Sequence, residues 1–150
     1  MAERRSERLR VVVMLAEREE QAAAARLGEQ RALLENEQAQ LGQLEDYRNQ
    51  YVEDYHRLRH NVQPEMLMSY SGFLQRLGQA LEGQQQRLAQ VQQGMEQRRE
   101  EWQQKYHRRR SLEDLVTRLA QEENSVLEQK LQRELDDLAA QRFSRDQGSY

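Results

Sequence analysis

One proline, Pro64, divides this chain into two long heptad-patterned arms, and that division limits the folds open to it. Proline lacks the N–H that a continuing helix needs, yet its fixed φ suits the first turn of a new helix. Before it, Leu41, Leu44, Tyr47, Tyr51, Tyr55 and Leu58 recur at steps of three and four; after it, Tyr70, Phe73, Leu74, Leu77, Ala80 and Leu81 do the same. Such steps collect side chains on one face of an α-helix. The sequence therefore predicts an all-α fold, two long helices forming an antiparallel coiled-coil hairpin. Helix one is expected over about 3–60, the turn over about 60–66 and helix two over about 66–143, in a single hairpin covering 1–150.

Composition narrows the alternatives. Hydrophobic residues are 37%, charged residues 33%, and mean hydropathy is −1.12, too little apolar material for a thick multilayer core. Glutamine runs such as Gln84-Gln85-Gln86 hint at disorder, but leucines at heptad spacing surround them. A net charge of −3 gives no basic excess for a nucleic-acid backbone. The chain has no cysteine, so disulfides, thiolate catalysis and thiolate zinc sites are excluded, in keeping with a reducing cytoplasm. The apolar run Val11 to Ala16 is too short for a signal sequence, and no stretch approaches the ~20 apolar residues of a membrane span. The sequence predicts a soluble protein without direct membrane insertion.

In helix one, one core column reads Val13, Leu27, Leu34, Leu41, Tyr55 and Val62, and the other Leu9, Ala16, Ala23, Leu44, Tyr51 and Leu58. Glu20, Gln30, Glu37 and Arg48 interrupt them; polar core positions weaken a coil but restrict its register. Ala22 to Ala25 offers small side chains for close approach. Gly28 and Gly42 each cost roughly 1 kcal/mol of helix propensity relative to Ala. Helix two carries Leu77, Val91, Leu112, Leu119 and Val126 in one column and Leu74, Leu81, Leu88, Met95, Trp102 and Val116 in the other. Ser69, Ser71 and Gly72 allow a late start, and residues 144–150 read as a frayed tail.

Pairing about the turn sets Tyr51 near Leu74 and Leu77, and Leu9 near Leu119. Helix one is then exhausted at about residue 124, and the paired part spans on the order of 85 Å at ~1.5 Å per residue. Beyond that point Leu127, Leu131, Leu135 and Leu138 continue as an apolar stripe with no partner in helix one.

Catalytic motifs are missing: there is no phosphate loop and no nucleophile elbow, and carboxylates on exposed helix faces are solvated charges. The chain reads as a non-enzyme with no cofactor and no metal. His56 and His60 stand at i and i+4, a spacing open to zinc, but no third ligand points with them, and solvent-facing histidines explain them better. The basic band Arg98, Arg99, Lys105, Arg108, Arg109 and Arg110 is read chiefly as a salt-bridged face opposite Glu17, Glu19 and Glu20, ahead of an acidic partner or nucleic acid.

Near the turn there is an apolar surplus. Gln40, Leu44, Tyr47 and Tyr51 form one stripe, and Phe73, Leu77, Ala80 and Gln84 a second beside it. Two readings fit: a wider seam, or a groove that receives a peptide or helix from a partner.

The strings Gln40-Leu41-Gly42-Gln43-Leu44-Glu45-Asp46-Tyr47-Arg48-Asn49-Gln50-Tyr51 and Tyr70-Ser71-Gly72-Phe73-Leu74-Gln75-Arg76-Leu77-Gly78-Gln79-Ala80-Leu81 resemble the FliJ family. These are soluble coiled-coil proteins of the bacterial flagellar type III export apparatus. The resemblance implies a stalk that couples the export ATPase ring to the export-gate membrane protein and escorts export chaperones, required for flagellum assembly and motility. It implies an elongated monomer, cytoplasmic and peripherally associated with the inner face of the cell membrane at the flagellar base. It carries gate binding onto Gln40, Leu44, Tyr47, Tyr51, Phe73, Leu77, Ala80 and Gln84. A lone stripe of leucines needs a cover, and for Leu127, Leu131, Leu135 and Leu138 that would be the ATPase ring's central opening, an export chaperone or a second copy of the chain. The alternatives are the equivalent stalk of a virulence injectisome and a self-associating structural coiled coil.

Overall fold

A computed structural model of the chain describes residues 4–61 and 63–148. Val62, placed above in a core column, and Glu3, placed at the start of helix one, lie outside the described residues, as do the last two residues of the tail. The described residues form two helices, α1 (Arg5–Leu58, 54 residues) and α2 (Pro64–Gln147, 84 residues), with no strand among them. The helices pack against each other as an antiparallel hairpin.

The turn follows the chemistry of its residues. The N–H groups of Met66 and Leu67 donate to the Gln63 carbonyl at 3.0 and 3.3 Å, so α2 opens with Pro64 at its first helical position. There the missing N–H costs nothing, because the first N–H groups of a helix have no intrahelical acceptor. α2 starts at once, not late: the Ser69 hydroxyl donates back to the Glu65 carbonyl at 3.2 Å, which occupies it without breaking the helix. At the other end α2 runs to Gln147, further than the expected 143, so residues 144–147 are helical. Ser144 there keeps its carbonyl in the ladder, accepting from the Gly148 N–H at 3.1 Å.

The chain divides into two compact units, residues 21–103 and residues 1–20 with 104–150. In the first, the core is a single seam: Ala23, Leu77, Leu81, Val91 and Met95 are all buried. Ala23 is 1% exposed while Ala22, Ala24 and Ala25 are exposed, so only one alanine of the run meets the other helix. Two polar residues that interrupt the α1 columns are locked across this seam. The Gln30 side-chain amide donates to the Val91 carbonyl at 3.0 Å. The Gln84 amide donates to the Glu37 carbonyl at 3.2 Å and to its carboxylate at 2.5 Å. Gly94 makes room for the first lock, since a Cβ there would stand 2.5 Å from Gln30 Nε2.

In the second unit the seam holds Ala16, buried, with Leu9, Val13, Leu112, Val116 and Leu119 half-buried. Val126, expected in a core column, is 65% exposed. α1 begins at Arg5 and supplies nothing to cover it. Ser6, 3% exposed, is held by Glu123: its N–H and its hydroxyl donate to the two carboxylate oxygens at 3.1 and 2.6 Å. Glu123 of α2 thus does for the start of α1 what a local capping side chain usually does, accepting an N–H that the helix leaves unpaired. Negative charge at that end also suits the helix dipole. Ser6 holds the Glu123 carboxyl below its ordinary value, chiefly through the hydroxyl and then through its N–H.

Candidate functional site: an aromatic face beside the turn

Within residues 21–103, five aromatic side chains meet on either side of the turn. Tyr51 is the centre, its ring 4.4 Å from Phe73, 5.3 Å from Tyr70 and 5.4 Å from Tyr47. Tyr47 meets Phe73 edge-on at 6.1 Å, and Tyr55 reaches Tyr70 at 6.5 Å. Tilted and edge-on contacts of this kind satisfy the ring quadrupoles and fix the rings in place. They arise because Tyr47, Tyr51 and Tyr55 stand one turn apart on α1 while Tyr70 and Phe73 do so on α2.

The eight residues onto which the family resemblance carries gate binding divide into two groups. Gln40 and Ala80 are exposed, Tyr47 is 48% exposed, and Leu44, Tyr51 and Phe73 are half-buried. Gln40, Gln43, Leu44 and Tyr47 line an open depression of about 550 Å³. Leu77 and Gln84 instead lie in the seam, 7% and 9% exposed, with the Gln84 amide turned onto Glu37. Leu77 and Gln84 thus widen the seam, and a half-exposed aromatic face stands outside it. Such a face offers burial of rigid apolar area, with the tyrosine hydroxyls as hydrogen-bonding ends.

The second predicted surface is open to solvent. Leu127, Leu131, Leu135 and Leu138 are 43%, 51%, 61% and 59% exposed, and Phe143 further along is 65% exposed. Nearby, Leu119, Val126 and Leu127 line a depression together with Arg4, Arg5, Glu122, Glu123 and Lys130. Val11, Met14 and Leu15 on the outer side of α1 are also exposed, a patch that the heptad reading passed over because it falls between the core columns.

The basic band is largely paired. Lys105 reaches Glu19 at 3.3 Å; Arg109 joins Glu20 and, at 2.9 Å, Glu113. These contacts hold the Arg109 guanidinium charged, the bond to Glu20 contributing most. Arg99 pairs with Glu96 at 3.0 Å, and Glu101 bridges Arg98 and Arg26. Those partners hold Glu101 below the ordinary carboxyl value, Arg98 foremost. Glu17, the third expected acid, takes no part in these bridges. His56 and His60 are exposed, and among the described residues no group of three or more His, Asp or Glu is arranged to hold a metal ion. No described helix is long and apolar enough to cross a membrane.

No curated protein and no solved structure matches the chain. A family model described as "Flagellar FliJ protein" matches residues 5–148, taking in both helices, the turn and the aromatic face. The chain belongs to the FliJ family, and so to the proteins associated with flagellar export.

Proposed function

We propose that this protein is a non-enzymatic coupling stalk of the flagellar export apparatus, linking the export ATPase ring to the export-gate membrane protein. The observation that carries the reading is the aromatic face: Tyr47, Tyr51 and Phe73 are locked ring against ring yet remain partly open to solvent. Pre-arranged aromatic side chains lose little conformational entropy on binding, which makes them efficient anchors for a partner. In this reading Gln40, Leu44, Tyr47, Tyr51, Phe73 and Ala80 meet the gate. Leu77 and Gln84 hold the face in position from within the seam. The protein works in the cytoplasm, against the inner face of the membrane at the flagellar base.

Tyr47→Ala and Phe73→Ala should weaken binding to the gate's cytoplasmic part, measured by calorimetric titration, and reduce swimming while far-UV circular dichroism stays nearly unchanged. Variants that lose helicity in step with binding would mean that the rings serve packing alone. The leucine stripe is the proposed contact for the ATPase ring and for export chaperones. Ending the chain at Asn124 should leave gate binding intact and weaken capture of the ATPase or a chaperone. Unchanged affinity for each of them would remove the stripe from the reading.

A further inference from the structure

We infer that Glu37 and Gln84 are positioning residues kept at a cost in stability: they hold the two helices of residues 21–103 in the one alignment that assembles the aromatic face. Glu37 is 6% exposed and Gln84 9% exposed, a carboxylate and an amide inside a seam of mostly apolar side chains. The Gln84 amide donates to the Glu37 carbonyl at 3.2 Å and to its carboxylate at 2.5 Å. Among the described residues no other donor reaches that carboxylate, so a charged group is taken out of water for a single neutral partner. Two leucines packed there would avoid that desolvation. Stability therefore does not account for the pair, and alignment does.

The apolar layers of the seam do not select an alignment, because Leu34, Leu41 and Leu44 of α1 pack equally well on Leu77, Leu81, Leu88 or Val91 of α2. Glu37 is selective. Sliding α1 by half a heptad sets it against Leu81 or Leu88, and sliding it by a whole heptad sets it against Leu77 or Val91. In each case a carboxylate is buried against an apolar side chain, which only the observed alignment avoids. The Gln30 lock stands one heptad away on both helices and acts in the same sense. Its amide reaches the Val91 carbonyl at 3.0 Å over Gly94, where a Cβ would stand 2.5 Å from Nε2. Half or a whole heptad from Gly94 lie Arg87, Val91, Arg98 and Glu101, all of which carry a Cβ.

The turn by itself leaves the alignment open. Half a heptad is a shift of about 5 Å, a length that opening one helical turn into extended chain supplies. The same shift would carry Tyr51 off Phe73, whose rings now stand 4.4 Å apart. This goes beyond the coupling reading, and its test contains no export component, so the two can fail independently.

The chain has no cysteine, so cysteines introduced at the exposed Gln43 and Gln79, on either side of the aromatic face, carry spin labels at those two positions alone. Double electron–electron resonance on the full chain should give one narrow distance. With Glu37→Leu and Gln84→Leu together the distribution should broaden or split, as slides of about 5 and 10 Å become populated. The thermal unfolding midpoint of that variant should stay level or rise. Glu37→Gln keeps an acceptor for the Gln84 amide and should keep the single distance. A single, unshifted distance in the leucine pair would overturn the inference, because the apolar layers would then suffice. A midpoint clearly below that of the wild type would overturn it too, since the pair would then be kept for stability, and so would a Glu37→Gln distribution as broad as that of the leucine pair.

Discussion

Gly94→Ala tests how the seam sets its register. In an exposed helix position, alanine in place of glycine stabilises by about 0.8–1 kcal/mol, because glycine loses more backbone freedom on folding. Gly28 should show that full gain, since nothing lies within 4 Å of where its Cβ would stand. At Gly94 the new Cβ would meet Gln30 Nε2 at 2.5 Å and Cδ at 3.2 Å. The far end of a glutamine can swing aside, so no large overpacking penalty follows, but swinging aside breaks the 3.0 Å bond to the Val91 carbonyl. Losing one such bond costs about 0.5–1.5 kcal/mol. The two effects offset each other, and Gly94→Ala should be close to neutral while Gly28→Ala stabilises. With Gln30→Ala already present there is no bond to lose, and Gly94→Ala should recover its gain of about 1 kcal/mol. Urea denaturation of the four combinations, followed by circular dichroism, gives the coupling directly. If Gly94→Ala gains as much as Gly28→Ala in both backgrounds, Gln30 does not pack over Gly94, and the account of the lock fails.

The seam and the aromatic face should separate in stability measurements. Leu77→Ala, at 7% exposure, should cost about 2–5 kcal/mol, whereas Tyr47→Ala, with half its surface already in water, should cost less than about 2 kcal/mol; equal costs would place Tyr47 in the core. The Ser6–Glu123 contact predicts a pH dependence. Because the folded-state carboxyl sits below its ordinary value of 4.5, its stabilisation is complete above that value and is lost as pH falls through the depressed one. Denaturation at stepped pH should show stability falling in that acid window, and Glu123→Gln should remove that part of the slope; an unchanged slope would refute the assignment. The stripe leucines, already open to solvent, should tolerate single alanine substitutions within about 1 kcal/mol in the monomer.

What the sequence settled is whatever depends on one helix at a time. Pro64 marks the reversal because its ring chemistry acts locally, and the steps of three and four identify Ala16, Ala23, Leu77, Leu81 and Met95 as inward because a 3.6-residue turn repeats along a single helix. The open stripe from Leu127 to Leu138 was legible too, by comparing the two arm lengths about that proline. The tertiary structure decided what needs two helices at once. Whether Gln84 belongs to the seam or to the exposed face depends on how α2 is rotated against α1, a quantity that no periodicity within α2 contains. The polar contacts join residues 47, 61 and 117 positions apart: Gln84 with Glu37, Gln30 with Val91, and Ser6 with Glu123. Gln30 and Glu37 stand out in the sequence as polar breaks in the core columns, but neither reveals its partner there. A hydrogen bond requires its two atoms to lie within about 3 Å, and only the packed helices bring residues so far apart along the chain to that distance.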